Sequence, residues 1–119
     1  MLNRAELLAA AGVGVKTRAA TIDGVGEILL REFSGLDRDE YFTRLITAPK
    51  VSHNGEEIPN PAGLKTWAVS VAVRNPDGSP MFKDADDAGA NLSPTAIDAI
   101  FDVIADENSL MDARRAEKN

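Results

Sequence analysis

The chain has 119 residues, enough for one domain with a modest core and too few for two. Its residues are 44% hydrophobic and 27% charged, ordinary for a soluble globular domain, and the absence of cysteine excludes disulfides and thiolate chemistry. Thirteen basic residues against 19 acidic ones leave a net charge of -6, which sets the surface against a phosphate backbone and speaks against nucleic-acid binding.

Asn3 is placed to cap a first helix running to about Ala11, with Leu7 and Leu8 as its apolar contacts and Gly12 ending it. Val13, Val15, Thr17 and Ala19 alternate with Gly14, Lys16 and Arg18, the pattern of a half-buried strand. Asp23-Gly24 signals a hairpin turn into a second strand, Glu27 to Phe33, with Ile28 and Leu30 on one side and Leu29 on the other. Ser34 stands three residues before Asp37, the spacing of a capping box with Asp in place of Glu or Gln. The helix it opens, Leu36 to about Thr47, carries Tyr41, Phe42, Leu45 and Ile46 as one stripe.

Ala48 to Pro61 holds three prolines and Asn54-Gly55, and reads as a loop or a small irregular excursion. Leu64 to Val73 is open between two readings. Leu64, Trp67, Ala68, Val71 and Ala72 fit a helical face, while Val69, Val71 and Val73 fit strand alternation. Asn75 to Pro80 is a turn. Ser93 with Pro94 is a well-formed helix start, and Ile97, Ile100, Phe101 and Ile104 form the buried stripe behind it. Residues 106–119 are polar and mixed in charge, and are expected to fray. The expected fold is a small single α+β domain over 1–119, a β-hairpin covered by about four helices.

Candidate chemistry fails site by site. His53 is the sole histidine, and no cysteine or second histidine exists to complete a metal site or a triad. Asp84, Asp86 and Gly89 fit positions 1, 3 and 6 of a calcium loop. Ala88 and Thr95 stand at position 5, where a ligand belongs, and position 12, where the bidentate Glu belongs, so a solvated acidic turn is the better reading. Gly12-Val13-Gly14 and Gly24-Val25-Gly26 do not extend to a phosphate-cradling pattern. Asp37 and Glu40 share helical spacing, which surface solvation explains more simply than acid–base work. Trp67, in an apolar stretch, reads as core packing. No apolar run reaches the roughly 20 residues of a membrane span, and no basic region followed by an apolar core marks a secretory signal. The small basic excess of Arg4, Lys16 and Arg18 against Glu6 carries no interleaved aromatic residues. No enzyme, no cofactor and no metal are expected.

Several pieces in order resemble the tail assembly chaperones of long-tailed, siphovirus-type bacteriophages. Leu30-Arg31-Glu32-Phe33 is similar to a V-R-E-L-like strand end. Ser34-Gly35 follows as a cap, then Asp37 to Phe42 as an E-R-D-E-F-like helix start. Leu64 to Val73, Asp77-Gly78, Met81-Phe82-Lys83, the acidic Asp84, Asp86 and Asp87, and Ala96 to Phe101 continue the pattern, and Glu117-Lys118-Asn119 is a common ending. The resemblance covers about Gly24 onward and departs at Pro49 to Pro61, where the loop is longer. It selects helix for Leu64 to Val73.

The resemblance implies a protein that binds the largely helical tape measure protein, keeps it soluble and helps recruit tail tube protein. It also implies action in the cytoplasm of the infected bacterial host, absence from the mature virion, and a longer frameshifted form sharing this N-terminal part. A-rich codons for Lys118-Asn119 would suit such a slippage site. A homo-oligomer suits a protein that coats a rod. Leu110 and Met111, apolar in a polar tail, are candidates for partner contact, or else pack back on the last helix. The alternative is a minor structural subunit of the tail or an unrelated small acidic adaptor.

Overall fold

The computed structural model describes residues 1–12, 17–48, 50–59 and 63–110. The order of elements is α1 (Arg4–Ala11), β1 (Thr17–Ile22), β2 (Gly26–Arg31), α2 (Gly35–Thr47), β3 (Lys50–His53), β4 (Glu56–Pro59), α3 (Leu64–Ala72), β5 (Val73–Arg74), α4 (Ala85–Asn91) and α5 (Pro94–Glu107). The α+β architecture stands: β1, β2 and β5 form an antiparallel sheet in that order, helices pack on it, and β3 pairs with β4 as a separate hairpin.

Local signals place most element ends. Asn3 and Glu6 form a reciprocal capping box on α1, and Ser34 and Asp37 do the same on α2. The Asp side chain therefore spans the gap that Glu or Gln usually fills. Ser93 accepts from the Ala96 amide with Pro94 in the first turn of α5. Between β1 and β2 the chain reverses over Asp23, Gly24 and Val25, with Gly24 at φ 79° and Gly26 at φ 117°, conformations that favour glycine.

The core lies between the sheet and α2, α3 and α5. Leu30 and Phe33 meet Tyr41 of α2, Val69 of α3, and Ile100, Phe101 and Ile104 of α5. Tyr41 stacks on Phe101 with centroids 6.2 Å apart. Ala68, Ala72 and Ala105 are wholly buried small residues that let the helices approach closely. Gly89 serves the same end for α4, since a Cβ there would stand 3.2 Å from the Thr66 methyl of α3. Each fully buried large apolar side chain contributes about 1.5–3 kcal/mol.

The segment with two readings is a helix followed by a short strand. Leu64, Ala68, Val69 and Ala72 are the buried face of α3, and Val73 turns extended to pair with Leu30. Of the β-branched residues that argued for strand, Val69 and Val71 are helical and only Val73, the last position, is extended.

Four expectations need correction. The strand read through Val13, Val15, Thr17 and Ala19 buries the opposite parity: Thr17 and Ala19 are exposed, while Ala20 and Ile22 are buried. Successive strand residues face opposite sides, so a one-residue misreading inverts the face. Val13 to Lys16 lie outside the described residues. The stretch read as a loop contains a hairpin, with Asn54 at φ 52° and Gly55 at φ 82° making the two-residue turn that twisted strands favour. Ile46 is exposed, because it lies about 140° around the helix from Tyr41 at roughly 100° per residue. Leu7 and Leu8 are also exposed, and α1 buries none of its residues.

Helix α5 runs through Glu107, and Leu110 is fully buried, so ordered core extends into the segment read as a polar tail. Asn108 caps the helix, Ser109 adopts φ 58°, and its amide donates to the Asp106 carbonyl. A left-handed residue just past the cap, with its amide bonded to a carbonyl of the last turn, is a common way for a helix to end and for the chain to turn away from its axis. Residues 111–119 lie outside the described residues. No helix among the described residues is long and apolar enough to cross a membrane.

Candidate functional site

Where β2 ends, two guanidiniums and one carboxylate from separate elements meet. Arg31, the last residue of β2, sends Nη2 to Oδ2 of Asp37 at 2.9 Å. The same Asp37 oxygen accepts the Ser34 amide at 3.0 Å, while the Ser34 hydroxyl accepts the Asp37 amide. One carboxylate thus closes a helix cap and neutralises a strand-end guanidinium. Partial burial raises the Asp37 pKa, but the hydrogen bonds from Ser34 and the Arg31 charge outweigh it. The carboxyl is held below its ordinary value.

Arg74 approaches from β5. The β2–β5 register sets Arg74 opposite Leu29, two residues from Arg31, and so on the same side of the sheet. Nη2 of both arginines reaches the carbonyl of Val71, in the last turn of α3, at 3.4 Å from Arg31 and 3.3 Å from Arg74. Cations at a helix C-terminus are favourable there. Burial, and then the neighbouring Arg31 charge, push the Arg74 pKa down, with Asp37 opposing them. Nε of Arg31 and Nε of Arg74 are both buried without a hydrogen-bond partner.

These groups open onto a cleft of about 370 Å³, walled by Trp67, Ser70 and Val71 of α3 and by Pro80, Phe82, Lys83 and Asp84 ahead of α4. Trp67 is half-buried. Phe33 meets it edge-on at 5.9 Å, and the Arg44 guanidinium lies 4.9 Å from its ring centroid. A second hollow, about 550 Å³, lies between β1 and α5, where Arg18 pairs with Glu107 beside Asp102 and Asp106.

The residues singled out from sequence do not converge. His53 ends β3 beside the Asn54-Gly55 turn. Asp84 caps α4 by accepting the Asp87 amide. Among the described residues, no group of three or more His, Asp or Glu is placed to hold a metal ion. Asp37 and Glu40 part company: Glu40 pairs with Arg44 at 2.9 Å, whereas Asp37 turns to Arg31. Asp37 is therefore not a plainly solvated surface carboxylate. Leu110 is fully buried as part of the core cluster, and Met111 lies outside the described residues. The Arg31–Arg74 pair was missed, because 42 residues separate the two; their shared signal is an arginine closing an apolar run, Leu29-Leu30-Arg31 and Val71-Ala72-Val73-Arg74.

Comparison with known proteins adds no relative: no family model matches the chain, and no curated protein or solved structure matches it either.

Proposed function

We propose that the chain is a non-catalytic tail assembly chaperone of a long-tailed bacteriophage. In this reading it binds the tape measure protein in the cytoplasm of the infected host, keeps it soluble, and helps recruit tail tube subunits. It leaves before the virion is mature and is the shorter product of a gene with a translational frameshift near its end.

The observation that carries the reading is the order of motifs. A strand end at Leu30 to Phe33 runs into a Ser34-capped helix, then an apolar helix, an Asp77-Gly78 turn and a helix bearing Ala96 to Phe101. The surface is compatible with it. Leu2, Leu7 and Leu8 at the N-terminal helix and Leu36 and Ile46 on α2 stand outside the core. Leu36 and Ile46 are 79% and 74% exposed, and apolar side chains so placed can cover a stripe on a helical partner. Weak contacts repeated along a long rod give avidity without a tight single site.

Co-expression with the neighbouring tape measure protein, followed by pull-down through the latter, tests the proposal with both the short chain and any frameshifted product. Soluble tape measure protein carrying this chain supports it. Insoluble tape measure protein with neither form co-purifying removes it. Detection of the chain in purified virions would favour the structural-subunit reading.

A further inference from the structure

We infer that the cleft between Arg31 and Arg74 is a binding site for a single carboxylate carried on an apolar stem. Three cationic groups line it, Arg31, Arg74 and Lys83, against two carboxylates, Asp37 and Asp84, which leaves one net positive charge in a chain of net charge -6. Asp37 is committed to Arg31 at 2.9 Å, and Asp84 to the Asp87 amide at 2.9 Å. Among the described residues Arg74 forms no salt bridge, Asp37 acting on it only through its charge. Its Nη2 donates to the Val71 carbonyl, and its Nε is buried without an acceptor, as is that of Arg31.

A buried N–H donor without an acceptor is costly, and a guanidinium beside another guanidinium is costlier still. The two Nε atoms are themselves closed to solvent, so what an entering carboxylate supplies is the missing charge, in the planar two-oxygen geometry that guanidinium matches. Inorganic phosphate, a mixture of monoanion and dianion near neutral pH, would in its dianionic form overfill one net charge and meet Asp37 and Asp84. Trp67 and Phe82 on the walls suit a hydrocarbon stem next to the carboxylate. This inference stands apart from the chaperone reading, since it concerns only what the cleft takes.

The test follows the arginine Nε–Hε resonances of the full-length, 15N-labelled protein. Sodium butyrate, sodium acetate, inorganic phosphate and sodium chloride are titrated at matched ionic strength. Butyrate should give a saturable shift of the Arg74 signal, acetate a weaker one, and chloride none. Arg74→Gln should weaken butyrate binding about tenfold or more. Arg74→Lys keeps the charge without the fork and should weaken it less. Asp37→Asn removes the resident competitor for Arg31 and should tighten butyrate binding, a gain that an unfolded variant cannot mimic. Equal shifts with butyrate and chloride, unchanged affinity in Arg74→Gln or Arg74→Lys, or looser binding in a folded Asp37→Asn would overturn the site. Preference for phosphate would overturn its assignment to a carboxylate.

Discussion

The backbone amide of Phe33 donates to the side-chain Oδ1 of Asn108 at 3.0 Å, across 75 residues of chain. The same Asn108 side chain gives Nδ2 to the Ile104 carbonyl at 2.8 Å. One amide group thus caps the end of α5 and satisfies the N–H at the point where β2 gives way to α2. Removing it leaves a part-buried donor unpaired.

Asn108→Ala should therefore cost about 1–3 kcal/mol of stability. Urea unfolding should show the midpoint falling with an unchanged slope. Both ends of the molecule's long-range tie should loosen together, visible as faster exchange of the Phe33 amide and of the last turn of α5.

Leu110→Ala removes a fully buried side chain and should destabilise the fold by about 2–5 kcal/mol. The same urea measurement reads it. A Leu110 that served only to touch a partner would leave the midpoint where it was.

Ser109→Gly runs the other way. Ser109 holds φ 58°, a conformation that costs a residue with a Cβ and costs glycine little. The substitution should raise stability by about 0.5–1 kcal/mol, seen as a higher thermal midpoint.

Asp37 gives the fold a pH dependence with a definite sign. Its pKa in the folded state lies below that of the unfolded chain, so its contribution is full above the unfolded carboxylate pKa, about 3.9. That contribution is lost as pH falls through the lower, folded value. Asp37→Asn should flatten this part of the acid limb of a stability–pH curve. Ser34→Ala should cost about 1 kcal/mol at neutral pH, because it removes the other half of the same cap.

Trp67 is the sole tryptophan and reports on its own surroundings. Arg44→Gln takes away the cation over its ring at a cost of about 0.5–1 kcal/mol. Emission from the folded protein should change while the far-ultraviolet circular dichroism does not.

Elements whose ends are written in neighbouring residues were legible from sequence. The Asn3 cap, the Ser34–Asp37 box, the Ser93-Pro94 start and the stripe Ile97, Ile100, Phe101 and Ile104 stand where local chemistry puts them. Features decided by distant partners were not. The inward parity of β1 depends on which residues of β2 it faces, and Thr17 and Ala19 look no less suited to burial than Ala20. The turn that buries Leu110 uses Ser109 where glycine would have announced it. Three prolines around Asn54-Gly55 hid a hairpin behind loop signals, although that dipeptide is itself a strong hairpin mark. The Arg31–Arg74 cleft depends on the pairing of β2 with a two-residue strand, which no local pattern displays.

Helix α1 has both ends specified and nothing buried between them. Eight residues are fewer than the roughly 12–15 an isolated helix needs to persist in water. Its hydrogen bonds should accordingly melt by degrees, independent of the all-or-none transition that Tyr41, Phe101 and Ile104 share. A thermal scan at 222 nm should begin with a sloping loss that a tryptophan-detected scan lacks. The gap between the two curves would measure how much of the chain's helicity is held by local sequence alone.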